Sequence, residues 1–91
     1  MENRNKFIHE IIDDIEFMMG HTNFRCGEVH SDIMLLTIIS NVLMCKLPGD
    51  EDRPETFIKD LVIDILDEYI TLTDSDIIFR YDLIRARNLV I

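Results

Sequence analysis

The chain reads as all-α, a single-domain antiparallel four-helix bundle over residues 1–91. Three observations predict this. Apolar residues recur at three- and four-residue spacing in four separate stretches. Only three Gly and two Pro interrupt the chain, which favours a few long elements over many short strands. A composition of 47% hydrophobic and 30% charged residues is that of a folded globule, and 91 residues suffice for one core but not two.

The first helix is expected over residues 3–19, with Phe7, Ile8, Ile11, Ile12, Ile15, Met18 and Met19 on one face. Glu10, Asp13, Asp14 and Glu16 occupy the other, and Gly20 is a natural terminator. Residues 21–27 connect to a second helix over residues 28–47. That helix is apolar almost all round its wheel, from Ile33 to Met44, which predicts a central, most buried position. Strand is the rival reading of this β-branched run, but its length favours helix.

Pro48 and Gly49 then break the chain, and Pro54 suits the first turn of a third helix over residues 54–70. There Phe57, Ile58, Leu61, Val62, Ile65, Leu66, Tyr69 and Ile70 face inward, while Asp60, Asp64, Asp67 and Glu68 face water. Thr73 with Asp76 resembles a capping box for a fourth helix that runs to the end. Leu89, Val90 and Ile91 close it without a stop signal, so they are expected to pack into the core or against a partner.

Net charge is −9 and uneven. Residues 50–76 carry ten acids against two bases, whereas residues 77–91 carry one acid against three arginines. The acidic block disfavours nonspecific DNA binding, which needs clustered Lys and Arg. A solvated face explains it most simply, and a binding face for a basic partner is the functional alternative, with Asp60, Asp64, Asp67 and Glu68 as its residues. Cys26 and Cys45 form no CxxC and are expected as buried or half-buried free thiols in a reducing compartment. No apolar leader follows the N-terminal charges, and the run from Ile33 to Leu47 is shorter than the roughly 20 residues that span a bilayer. A cytoplasmic protein with no membrane association is expected.

Candidate chemistry is sparse. His21, Cys26 and His30 match no zinc spacing, so surface histidines and a packed thiol are expected, with no metal. Arg25 beside Cys26 could lower the thiol pKa. An exposed acidic stripe provides no pocket to split carboxylate pKa values for acid–base work. There is no Gly-rich phosphate loop and no nucleophile elbow, and no cofactor is expected. Ser40 and Asn41 lie within the apolar second helix, as satisfied core residues or as the lining of a cleft. On the fourth helix Arg80 and Arg87 share one stripe and Arg85 lies off it. They are expected to pair with the acids of the third helix or, as a binding stripe led by Arg80, to meet a partner.

The order of features over residues 28–91 resembles a known family. A hydrophobic helix opening at His30, Ser31 and Asp32 precedes a Pro/Gly turn. Arg53, Phe57 and Ile58 lead into the next helix, and Tyr81, Asp82 and Leu83 precede Arg87, Asn88, Leu89, Val90 and Ile91. This resembles the HEPN superfamily of four-helix proteins, common in bacterial defence and toxin–antitoxin systems. The resemblance implies a homodimer in which two protomers meet at the last helix and cut RNA without a metal. The family's ribonucleases place Arg, a polar residue and then His on that helix; Arg87 and Asn88 match the first two positions. The His would fall near residue 92, past Ile91, so these residues hold no complete nuclease site, and no cleavage is expected of them. Two functions are therefore expected as alternatives. One is a HEPN-like, RNA-associated dimeric module; the other is a non-enzymatic acidic interaction module, such as an immunity protein, antitoxin or phage inhibitor, that binds a basic partner.

Overall fold

The computed structural model describes residues 2–47 and 55–91, so Pro54 and the preceding turn lie outside the described residues. Four α-helices make up the fold: α1 (Glu2–Gly20), α2 (Ser31–Lys46), α3 (Glu55–Leu72) and α4 (Ile77–Val90). No strand occurs among the described residues. In α1, Ile8, Ile11, Ile12 and Ile15 are buried as one stripe, because steps of three and four residues return to the same side of a helix. His21 closes α1: its backbone N–H donates to the Met18 carbonyl at 3.0 Å, and its ring stacks on Phe17. Its Nδ1 lies 2.9 Å from the Phe17 carbonyl oxygen. Carbonyls that the helix leaves open are thereby satisfied.

The second helix starts at Ser31, three residues later than its sequence suggests. The carbonyls of Glu28 and Val29 accept from the Arg85 guanidinium at 3.4 and 2.8 Å, and that of Glu28 also takes the Ser31 N–H at 3.2 Å in a tight turn ahead of the helix. Ser31 Oγ also donates to the Glu28 carbonyl, at 2.8 Å. Just before this, Gly27 adopts φ +78, and a Cβ there would lie 3.0 Å from Cγ2 of Ile78. Both the backbone and the close approach call for glycine.

The start of α4 also differs from expectation. Asp76 alone is the cap, its Oδ1 accepting the Phe79 N–H at 3.1 Å. Thr73 turns back and donates its hydroxyl to the Tyr69 carbonyl at 2.6 Å, extending the hydrogen bonding of α3. Accordingly α3 runs to Leu72, two residues past the apolar pattern.

The helices form a four-helix bundle whose principal contacts run round a ring, α1 to α2 to α4 to α3, with α1·α2 and α3·α4 as its antiparallel neighbours. Consecutive helices alternate in direction. Arg4 and His9 of α1 pair in the same order with Asp64 and Glu68 of α3, so those two helices run the same way. Ile11, Ile15, Leu35, Ile39, Leu61, Ile65, Leu66 and Leu83 fill the shared core, all fully buried. The second helix is one corner of this ring and not its centre. Its apolar wheel has another cause: Leu35, Ile38, Ile39, Val42 and Leu43 face the core, while Ile33, Met34 and Met44 are exposed behind them. Ser40 and Asn41 lie on the exposed side too, so neither is a buried polar residue. Cys26 and Cys45 are free and exposed, not packed.

Ile39→Asp should abolish the cooperative thermal transition, because an unpaired charge in a packed interior costs several kcal/mol of a total of roughly 5–15. Leu36 is only half-buried, so Leu36→Asp should lower the melting temperature less. Met44→Asp, at a side chain 79% exposed, should melt close to the parent. Equal melting of the Ile39 and Met44 variants would contradict the assignment of the core face.

Candidate functional site

The fourth helix carries the residues with most chemical potential, and its faces divide them. Phe79, Asp82, Leu83 and Ala86 point into the bundle at spacing i, i+3, i+4, i+7. Opposite them lie Ile77, Tyr81, Ile84, Asn88 and Ile91, all exposed. Exposure reaches 78% at Ile77 and 68% at Ile91. Leu89 is exposed as well and only Val90 packs on the core, so the expected burial of all three C-terminal apolar residues does not occur within the chain.

Asp82 is fully buried and fully engaged. Its Oδ2 accepts the backbone N–H of Gly27 at 2.7 Å, and its Oδ1 lies 3.4 Å from Arg85 Nη1. Arg85 also pairs with Asp32 at 3.2 Å and reaches across the Tyr81 ring at 6.0 Å. One guanidinium thus satisfies two carboxylates and two carbonyls. The three arginines have different tasks. Arg85 fastens the 21–30 connection to α4; Arg87 pairs with Asp67 of α3 at 2.5 Å, as charge complementarity suggested. Arg80 is exposed and has no ion pair among the described residues. Arg87 and Asn88, adjacent in sequence, diverge by about 100° round the helix, the first toward α3 and the second outward.

The acidic side of α3 is largely compensated within the chain. Asp64 pairs with Arg4, Asp67 with Arg87, and Glu68 Oε2 lies 3.3 Å from His9 Nε2. Asp60 stays exposed, with no ion pair among the described residues. Arg4, Asn5, Ile8, Asp64, Asp67, Glu68 and Thr71 surround a shallow depression of about 330 Å³ there. Exposed pairs of this kind each contribute 0–1 kcal/mol, so they set charge more than stability.

Two further depressions flank α1. One, about 190 Å³ and mostly apolar, lies between α1 and α2, lined by Asp14, Phe17, Met18, Asn41, Val42 and Cys45. The other, about 340 Å³, lies beneath the connection at Phe24 and Cys26, against Glu16, Tyr69, Asp76 and Phe79. Burial, then Asp76 and Asp82, push the Cys26 thiol above its ordinary pKa, the reverse of what Arg25 beside it suggests. Burial, with Glu16 and Cys26 adding to it, likewise keeps the Tyr69 phenol protonated well above its usual range. Among the described residues, no three His, Cys, Asp or Glu side chains are grouped to hold a metal ion. Nor is any helix among them long and apolar enough to cross a membrane.

The Asp82 network is what reading the sequence missed. Its signal was present: Asp82 occupies an inward position between Phe79 and Leu83, where a carboxylate needs strong partners. No family model matches the chain, and no curated protein or solved structure matches it significantly.

Asp82→Ala should destabilise the fold by about 2–4 kcal/mol, because it strands the Gly27 N–H and leaves Arg85 short of a partner. Asp82→Asn keeps an acceptor for Gly27 and should cost less. Urea unfolding gives the magnitude, and hydrogen exchange at the Gly27 amide gives the cause. Unchanged exchange there in Asp82→Ala would break the link between the connection and α4.

Proposed function

We propose that the protein is a non-enzymatic helical interaction module that pairs with a second copy of itself through the outward face of α4. The observation that supports this is the spacing of Ile77, Tyr81, Ile84, Asn88 and Ile91. It alternates four and three residues, the repeat by which two helices interlock knobs into holes. An antiparallel pairing centred on Ile84 makes the row self-complementary, as a two-fold interface requires. Ile77 then meets Ile91, Tyr81 meets Asn88, and Ile84 meets its own copy. Exposed Ile78 and Leu89 meet on one flank. The amide of Asn88 and the hydroxyl of Tyr81 can hydrogen-bond across the seam, a polar contact that favours one register. A seam of one helix per protomer is small, so the dimer belongs with weak, reversible associations.

A second observation supports the HEPN-like, RNA-associated reading. Arg80 and Arg87, seven residues apart, share the flank of α4 that faces α3, as the pairing of Arg87 with Asp67 indicates. The two-fold of an antiparallel pair sets both copies' arginines along one side of the seam. Such a row suits RNA phosphates, with Arg87 exchanging its carboxylate partner for the anion. Without a proton-transfer His in these residues, the flank supports binding and not cleavage. Capture of a basic partner by α3 has less support, since Asp64, Asp67 and Glu68 are already paired within the chain.

Size-exclusion chromatography with light scattering tests the proposal directly. The parent should approach twice the monomer mass as concentration rises. Ile84→Glu, which brings two carboxylates together on the axis, should stay monomeric with an unchanged helical circular dichroism spectrum. A parent that remains monomeric at its solubility limit removes the dimer. Fluorescence anisotropy with a single-stranded RNA at low salt tests the second reading: Arg80→Ala and Arg87→Ala should each weaken binding, and its absence in the parent removes the RNA role.

A further inference from the structure

The groove between α1 and α2 has no part in the α4 seam. About 190 Å³ in volume, it is lined by Asp14, Phe17, Met18, Asn41, Val42 and Cys45. Val42, only 5% exposed, forms its floor. Phe17 is 64% exposed, yet its ring is held by stacking on His21 with centroids 4.2 Å apart. A fixed aromatic wall over an apolar floor is a preformed contact, because little rotamer freedom is left to lose when something covers it.

The two sides of the groove differ in charge. Along α2, no charged residue occurs from Ile33 to Cys45, and Met44 beside Cys45 is 79% exposed. Along α1, residues 10–14 carry three acids and no Lys or Arg. Steps of four and three place Glu10, Asp14 and Phe17 on one stripe, with Asp13 next to it. Asp14 pairs with Lys46 across the groove at 3.1 Å, a part-exposed pair worth about 0–1 kcal/mol and therefore open to exchange. Glu10 and Asp13 are exposed, with no ion pair among the described residues.

These features select the occupant. Sites that bury a whole small molecule run to about 300–1,000 Å³, so this hollow suits one anchoring side chain of something larger. A trough between two antiparallel helices accepts a third helix, whose apolar face supplies such anchors. A nucleic acid, an anionic lipid surface or a second copy with its net charge of −9 would bring like charge to the acids of α1. A helix with Lys or Arg beside its apolar face meets both sides of the groove. Met18 and Met44, unbranched and polarizable, fit themselves to the side chain that enters.

We propose that this groove receives a basic amphipathic helix of another protein. One large apolar side chain enters between Phe17 and Val42, and basic residues a turn away meet Glu10, Asp13 and Asp14. The α1 side lies diagonal to α4 in the ring, so the proposal stands or falls independently of the dimer.

The probe is a synthetic leucine–lysine peptide of about 15 residues, long enough for an isolated helix, with leucines recurring every three and four positions. One control carries Glu for every Lys, and another carries Ala for the central Leu. NMR titration of the whole chain should give saturable shifts at the amides of Phe17, Met18, Asn41 and Cys45. Both controls should bind about tenfold more weakly or worse. Phe17→Ala, and Glu10→Lys combined with Asp13→Lys, should each weaken the lysine peptide by about tenfold while melting near the parent. Asp74→Lys, at an exposed acid between α3 and α4, should leave its affinity unchanged. Equal loss in Asp74→Lys reduces the effect to attraction by net charge and overturns the proposal. So does an absence of binding, saturation without shifts at the groove, or equal binding of either control. The same shifts on concentrating the protein alone would give the groove to a second copy, and on adding phosphatidylglycerol vesicles to a lipid surface; either result also overturns it.

Discussion

A buried carboxylate is an expensive thing for a 91-residue bundle to keep, and Asp82 shows what is obtained in return. Removed from water, it must be matched by strong donors, and it finds them in the Gly27 N–H and the Arg85 guanidinium. Satisfying Asp82 fixes the tight turn at Gly27. Arg85 over the same region holds the Glu28 and Val29 carbonyls just ahead of the second helix, which starts at Ser31. The position of α4 against α2 follows, and with it the direction of α4's outer face. One ionic contact thereby determines which residues the protein shows to its surroundings.

The surface divides its charges between inward and outward uses. On α3 Asp64 and Asp67 answer arginines of the same chain and Glu68 lies beside His9, which leaves a side rich in charge but poorer in unmet charge. On α4 the unmet features are apolar and amphipathic, arranged as a row along one helix. A solvated acidic ridge needs no partner, whereas a contiguous apolar row on a small protein does. That contrast locates the proposed association on α4, whose single acid is buried.

Helices with one apolar stripe were legible from the residues alone. Ile8, Ile11, Ile12 and Ile15 in α1, and Leu61, Ile65, Leu66 and Tyr69 in α3, are buried as their spacing predicts. The second helix was not legible in the same way. When Ile33 and Met44 are as apolar as Leu35 and Ile39, periodicity cannot separate buried from exposed, and all-round hydrophobicity suggests a centre that is not there. The capping of α4 was half legible: Asp76 was singled out, but Thr73 also satisfies a carbonyl of the preceding helix, and local bonding decided between the two. The links from Gly27 to Asp82 and from Val29 to Arg85 join positions more than fifty residues apart, beyond what local pattern can reveal.

The ring order has a kinetic consequence. The first and last helix pairs are each joined by short connections, residues 21–30 and 73–76, so their contacts close small loops. Gly27 and Asp82 lie 55 positions apart, and their contact closes a far larger one. Loop-closure entropy favours the nearby contacts first, which makes two hairpins the early units of folding and their joining the late step. Late contacts of this kind slow escape from the native state more than they speed its formation. In this chain Asp82 acts as a latch on the finished bundle and not as a seed for its assembly.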